Sequence, residues 1–205
     1  MKGLDPIIAR IETELDEKDR IREATLKATR GITRLASTSI RGMHRGEDVG
    51  RDLATLRKEV AALRQRLRGH PEFWFGGTVE GALQEAAEAA IVHSILKDRP
   101  LPRPEDLGVT GVAYVLGIGD SIGEFRRIAL DRMRLARIED ASRIVDAMED
   151  LFHALLRFDY PDAIMAVRHK QDVARSLLER TRGELAVSAR SAELEKKLAR
   201  LTKRR

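Results

Sequence analysis

Residues 83–91 read LQEAAEAAI, an Ala-rich, apolar stretch with helical character. It nevertheless sets two carboxylates, Glu85 and Glu88, one turn apart on one helix face. Residues 117–125, GIGDSIGEF, repeat the oddity with Asp120 and Glu124 four apart. Outward from these stretches, apolar residues recur every three to four positions along the whole chain. Periodicity predicts a first helix over 4–45, carrying Ile11, Leu15, Ile21, Leu26, Ile32, Leu35 and Ile40, with Gly46 as its stop. A second is expected over 48–68, and a third from Pro71 to Asp98. Three prolines in RPLPRPEDLG (99–108) mark a loop. Further helices follow at 109–134, 138–157 and 162–181, with a shorter one in SAELEKKLARLTKRR. The fold class is all-α, an antiparallel bundle of six to seven helices.

Composition agrees. The chain has 205 residues, 42% apolar and 35% charged, with only 4% aromatic, which suits a soluble, helix-rich protein and not a large sheet. One domain is expected over 1–185, with 186–205 a basic C-terminal helix or tail. There is no cysteine. Disulfides, zinc-thiolate sites and thiol catalysis are therefore excluded, and a reducing, cytoplasmic setting fits. The charged N-terminus lacks the apolar core of a secretion signal, and no apolar run is long enough to span a bilayer, so no membrane partner is expected. A net charge of +5 makes a polyanion a reasonable partner.

The helices on either side of the proline loop are expected to form an antiparallel hairpin. In that arrangement residues whose numbers add to a constant stand level, which matches Glu88 with Asp120 and Glu85 with Glu124. Four carboxylates would then converge. Like charge concentrated in one place needs protons or cations, and hard oxygen ligands suit Mg2+ or Mn2+. A metal so held can support phosphodiester hydrolysis. The competing reading is a solvated stripe: Asp120, Glu124, Arg127 and Asp131 lie opposite Val115, Ile118, Ile122 and Phe125, as on any half-exposed helix. A di-iron bundle would need Glu-x-x-His; three after Glu88 stands Ile91, and three after Glu124 stands Arg127. The glycines 117, 119 and 123 have the wrong spacing for a dinucleotide loop, and are read as allowing close helix packing.

On the first helix Lys27, Arg30, Arg34, Arg41, His44 and Arg45 recur at near-helical spacing. They form either a phosphate-contacting stripe or a solvated face offset by Glu12, Glu17 and Glu23. HPEFWF (70–75) holds the lone Trp74, read as an anchor of a helix start in the core over a base-stacking platform.

DRIREATLKATRGITRLASTSIRGMHRG, GALQEAAEAAIVHSIL and YVLGIGDSIGEFRRIAL, followed by RIVDAMEDLFHALLRFDYP and AIMAVRHKQDVARSLLERTRGEL, resemble in order and spacing the translin family, specifically its translin-associated factor X branch. The likeness runs from about Asp19 to Leu185. It implies a seven-helix α fold assembled into closed, hollow octamers that bind single-stranded RNA or single-stranded DNA inside. It also implies an Mg2+-dependent endoribonuclease centre at Glu85, Glu88, Asp120 and Glu124, with the first-helix basic residues lining the RNA path. Before the Leu-Gln, translin proper carries a His- and Arg-rich stretch where this chain reads FWFGGTVEGALQ. A compact proline loop replaces the long insertion of some members. The first departure favours the acidic, factor X-like role; the short, Arg-rich chain resembles archaeal-type members, which implies a homo-oligomer of active subunits, and the alternative is a non-catalytic scaffold that binds single-stranded RNA or DNA.

Overall fold

A computed structural model describes residues 3–202 and contains, among them, only helices and their connections. They are α1 (Leu4–His44), α2 (Gly50–Arg66), α3 (Pro71–Trp74), α4 (Gly77–Leu96), α5 (Pro104–Leu107), α6 (Gly111–Arg134), α7 (Ile138–Leu155) and α8 (Arg168–Thr202).

α1 ends as expected at Gly46, in the left-handed region at φ 77°. There the Gly46 N–H donates to the Met43 carbonyl and Glu47 N–H to that of Gly42, a Schellman closure. α4 and α6 end the same way, but with Asp98 and Ala136 in the left-handed position. The third predicted helix is divided into α3 and α4, with Gly76 extended between them. The helix expected from 162 begins only at Arg168, because a turn at Pro161–Ile164 and the buried Val167 precede it. It then continues without a break to Thr202, absorbing the separate short helix expected at the C-terminus. The last three residues of that segment lie outside the described residues.

α4 is the centre of the fold. It is buried over most of its length, with Val79, Leu83, Ala87, Ile91 and Val92 each at most 1% exposed. One apolar cluster joins it to α1 and α2, and a second joins its C-terminal part to α6, α7 and α8.

The α4–α6 pair corrects the sequence expectation. These helices run parallel, not as an antiparallel hairpin. The Thr110 hydroxyl at the start of α6 donates to Glu80 Oε1 (2.6 Å) near the start of α4. Gly117 lies against Ala87, and Leu96 and Ile128 share a cleft near the far ends. The proline loop is the reason. Residues before Pro100, Pro102 and Pro104 are held extended, so the fourteen residues from Lys97 to Thr110 can run back along the roughly 30 Å of α4. Leu107 is buried on that return path, against Leu53, Leu56, Val60, Ala86 and Ala90. α8 also runs parallel to α6, with Lys170 against Gly119, Leu177 against Gly123 and Thr181 bonded to Arg126. α7 lies antiparallel to α8, tied by Arg182–Glu149 and by Gln171 to the Leu155 carbonyl.

Candidate active site

Small residues let α4 and α6 approach closely at the level of the acids. A Cβ on Gly117 would stand 3.0 Å from Ala87 Cβ and 3.0 Å from the Gln84 carbonyl oxygen. The glycine reading made from sequence holds at this position. Glu88 emerges next to this contact and is 7% exposed; Glu85 and Asp120 are half-buried beside it.

The acids divide into two partnered and two unpartnered groups. Asp120 accepts from Gln84 Nε2 and from Lys170 Nζ. Glu124 accepts from His44 Nε2 at 2.5 Å and from Arg127 Nη1 at 3.1 Å. Among the described residues, no side-chain hydrogen bond or ion pair reaches Glu85 or Glu88. Burial pushes the Glu88 carboxyl up to about 8, helped by the charges of Asp120, Glu85 and Glu124, with Lys170 pulling the other way. Glu85 is also raised, first by burial and then by Asp120, with Lys170 opposing and Glu124 adding the least.

The parallel direction explains that ordering. Glu88 is level with Asp120 whichever way the helices run, but Glu85 is not level with Glu124. In the parallel pair Glu124 lies about two turns further along than Glu85. Asp120 and Glu88 therefore form the middle of the cluster, Glu85 one end and Glu124 the other.

Chemically the donor set is all oxygen, with a poorly solvated carboxyl, unpartnered among the described residues, at its middle. That fits a hard divalent cation such as Mg2+ or Mn2+. Among the described residues, however, no three of His, Cys, Asp and Glu stand gathered as metal ligands. Lys170 and Arg127 supply the positive charge that faces the cluster.

The basic residues of α1 also divide. Lys27, Arg30 and Arg34 are exposed and, with Arg22, line an open concavity of about 680 Å3. Arg41 is exposed and donates to Thr38, while the Arg45 fork grips Glu47. His44 is not on that exposed face; it is turned inward onto Glu124. Phe73 and Trp74 pack on the core, with Arg64 5.9 Å above the Trp74 ring, while Phe75 is exposed.

Sequence reasoning missed Lys170 and Gln84. Gln84 adjoins Glu85, so its position on the same helix was a usable signal. Lys170 is fifty residues from Asp120 in sequence and carries none; only the parallel docking of α8 brings it there.

Among known proteins, the translin family model matches residues 16–182. An uncharacterized protein of Methanocaldococcus jannaschii is 32% identical over 191 residues, covering 91% of this chain and 85% of that protein. The structure of AfC3PO in complex with duplex RNA has a TM-score of 0.83 at 27% identity, over 90% of this chain and 97% of that one. The crystal structure of AfC3PO scores 0.82 at 28% identity over the same shares. Apo-NeC3PO, at 21% identity, shares the fold, with a TM-score of 0.78 over 92% of this chain and 98% of that one.

Proposed function

This chain belongs to the translin family, and on that premise we propose that it is an RNA-binding endoribonuclease dependent on Mg2+ or Mn2+, working as a closed homo-oligomer of octamer type. Single-stranded RNA is the proposed substrate, with single-stranded DNA as a further ligand. The observation that supports this reading is the pair Glu85 and Glu88, half-buried and buried beside Asp120 and, among the described residues, without a hydrogen-bond or ion-pair partner. A structural face has no use for such an arrangement, whereas a cation site does.

Glu85, Glu88, Asp120 and Glu124 would hold the metal. A bound divalent ion supplies a Lewis acid for the phosphodiester and lowers the pKa of a bound water. Gln84 orients the Asp120 carboxylate, and His44 and Arg127 orient Glu124. Lys170 balances charge on Asp120 and presents an ammonium beside the place where phosphate charge develops. Exposed Lys27, Arg30, Arg34, Arg41 and Arg45 grip the RNA backbone and set its register.

A second reading, a non-catalytic RNA-binding scaffold, draws on the ion pairs that already occupy Asp120 and Glu124. One assay separates the two. Labelled single-stranded RNA, and a duplex because AfC3PO was solved with one, are incubated with the protein with and without Mg2+, beside Glu88→Gln. Internal cleavage that needs metal and falls about 100-fold or more in the variant supports the enzyme. Equal binding without cleavage supports the scaffold.

A further inference from the structure

Where α1, α4 and α6 end together, the bundle holds a cleft of about 230 Å3 that the acid cluster does not use. Its floor is apolar, made by Met43, Leu96 and Ile128, and the exposed Leu135 stands at its mouth. Drug-sized ligands fill roughly 300–1,000 Å3, so this cleft has room for one small ring system and no more.

The cleft adjoins the candidate active site. His44 lines it, and the same imidazole sits on Glu124. Glu124, Ile128, Asp131 and Leu135 recur along one face of α6. Ile128 and Arg132 stand about 6 and 12 Å beyond Glu124 along the helix. At the stacked spacing of roughly 3.4 Å, that is no more than about three nucleotides of strand.

Charge at the rim is unevenly committed. Arg45, which continues the basic stripe of α1 to the cleft, is held by Glu47, and Asp131 is met by Arg134 at 3.6 Å. Arg132 has, among the described residues, neither an ion pair nor a side-chain hydrogen bond. An apolar floor beneath an uncommitted guanidinium suits a flat ring that carries a phosphate, since such a cation stacks on the ring or meets the anion. We propose that the cleft receives one base of single-stranded RNA, splayed out of the strand beside the phosphate that the acids hold. Single strands are recognised through bases that leave their stack. An aliphatic floor accepts the face of any base, so the cleft positions the strand without reading its sequence. This deepens the proposed function and rests on its assignment of the acids as the place where RNA is cut.

The test uses the full-length protein and a short single-stranded RNA carrying one 2-aminopurine, whose emission is quenched by stacking on its neighbours. In EDTA, entry into the aliphatic cleft is expected to raise that emission on binding. Arg132→Gln and Leu135→Ser alter only the rim, and circular dichroism checks that their helices persist. Each is expected to lose the rise while anisotropy shows the RNA still bound. With Mg2+, an abasic nucleotide in place of the 2-aminopurine is expected to slow cleavage about 10-fold at nearby bonds on one side, the worth of one well-held base. Neither variant should show that local effect. No rise on binding, an equal rise in both variants, or cleavage indifferent to the abasic position overturns the proposal. A rise that both variants lose, with no cleavage anywhere, sustains the base site and removes the nuclease reading instead.

Discussion

Glu88 carries its charge at a disadvantage, and pH exposes this. Its carboxyl titrates near 8 in the folded chain, against an ordinary value of 4.5. Between those values the folded state keeps a proton that the unfolded chain has lost, so stability falls as pH rises. The contribution is fully present below about 4.5, declines up to about 8 and is level beyond. Urea midpoints measured from mildly acidic to mildly alkaline pH without metal should show this decline, and Glu88→Gln should flatten it. Added Mg2+ should raise the midpoint of the parent most at the alkaline end, where the carboxylate is ionised and free to bind. Lys170 acts in the opposite sense, as the cation nearest Asp120. Lys170→Met leaves Asp120, among the described residues, with Gln84 as its remaining partner and should lower stability at neutral pH by about 1–2 kcal/mol. The Mg2+-induced rise in melting temperature should then exceed that of the parent; an equal rise would separate Lys170 from the cluster.

At the scale of elements, the contact between α4 and α6 sets how near the acids come. Gly117 is at the point of closest approach, facing a backbone carbonyl and an Ala methyl that have little room to move. Gly117→Val should destabilise by about 1–3 kcal/mol or more through overpacking. It should also weaken metal binding, because a wider gap separates Glu88 from Asp120. Calorimetry and Mg2+ titration check both effects. The helices themselves were legible in local periodicity, and Gly46 marked its own left-handed stop. The end of α6 was legible only as a break, because Ala136 holds the left-handed position there without the glycine that signals it. The start of α8 was misread because an apolar stretch before Arg168, with Met165 and Val167 buried, mimics helical spacing in an irregular segment.

For the whole molecule, the expected ligand is a polyanion and the expected response is to salt. Lys27, Arg30 and Arg34 line an open concavity with Arg22 and Glu23, and among the described residues no ion pair holds them. A plot of log affinity for single-stranded RNA against log salt should be steep, and Arg30→Ala and Arg34→Ala should each reduce the slope by about 0.7. Arg45→Ala should change it less, since its fork already serves Glu47. No described helix is long and apolar enough to cross a membrane.

The residues alone determined that this chain is helical, that it holds four acids in two pairs, and that its first helix carries a basic stripe from Lys27 to Arg41. Each of those is a local property, written in spacing and side-chain type. The direction of α6 was decided by tertiary structure, through a proline-held return path on which Leu107 is buried against helices distant in sequence. Glu88 and Asp120 stand level under either direction, so they meet even though the hairpin expectation fails. Glu124, displaced along its helix, instead meets His44, and Asp120 meets Lys170. Charges separated by fifty or eighty residues find one another only when packing brings their helices side by side.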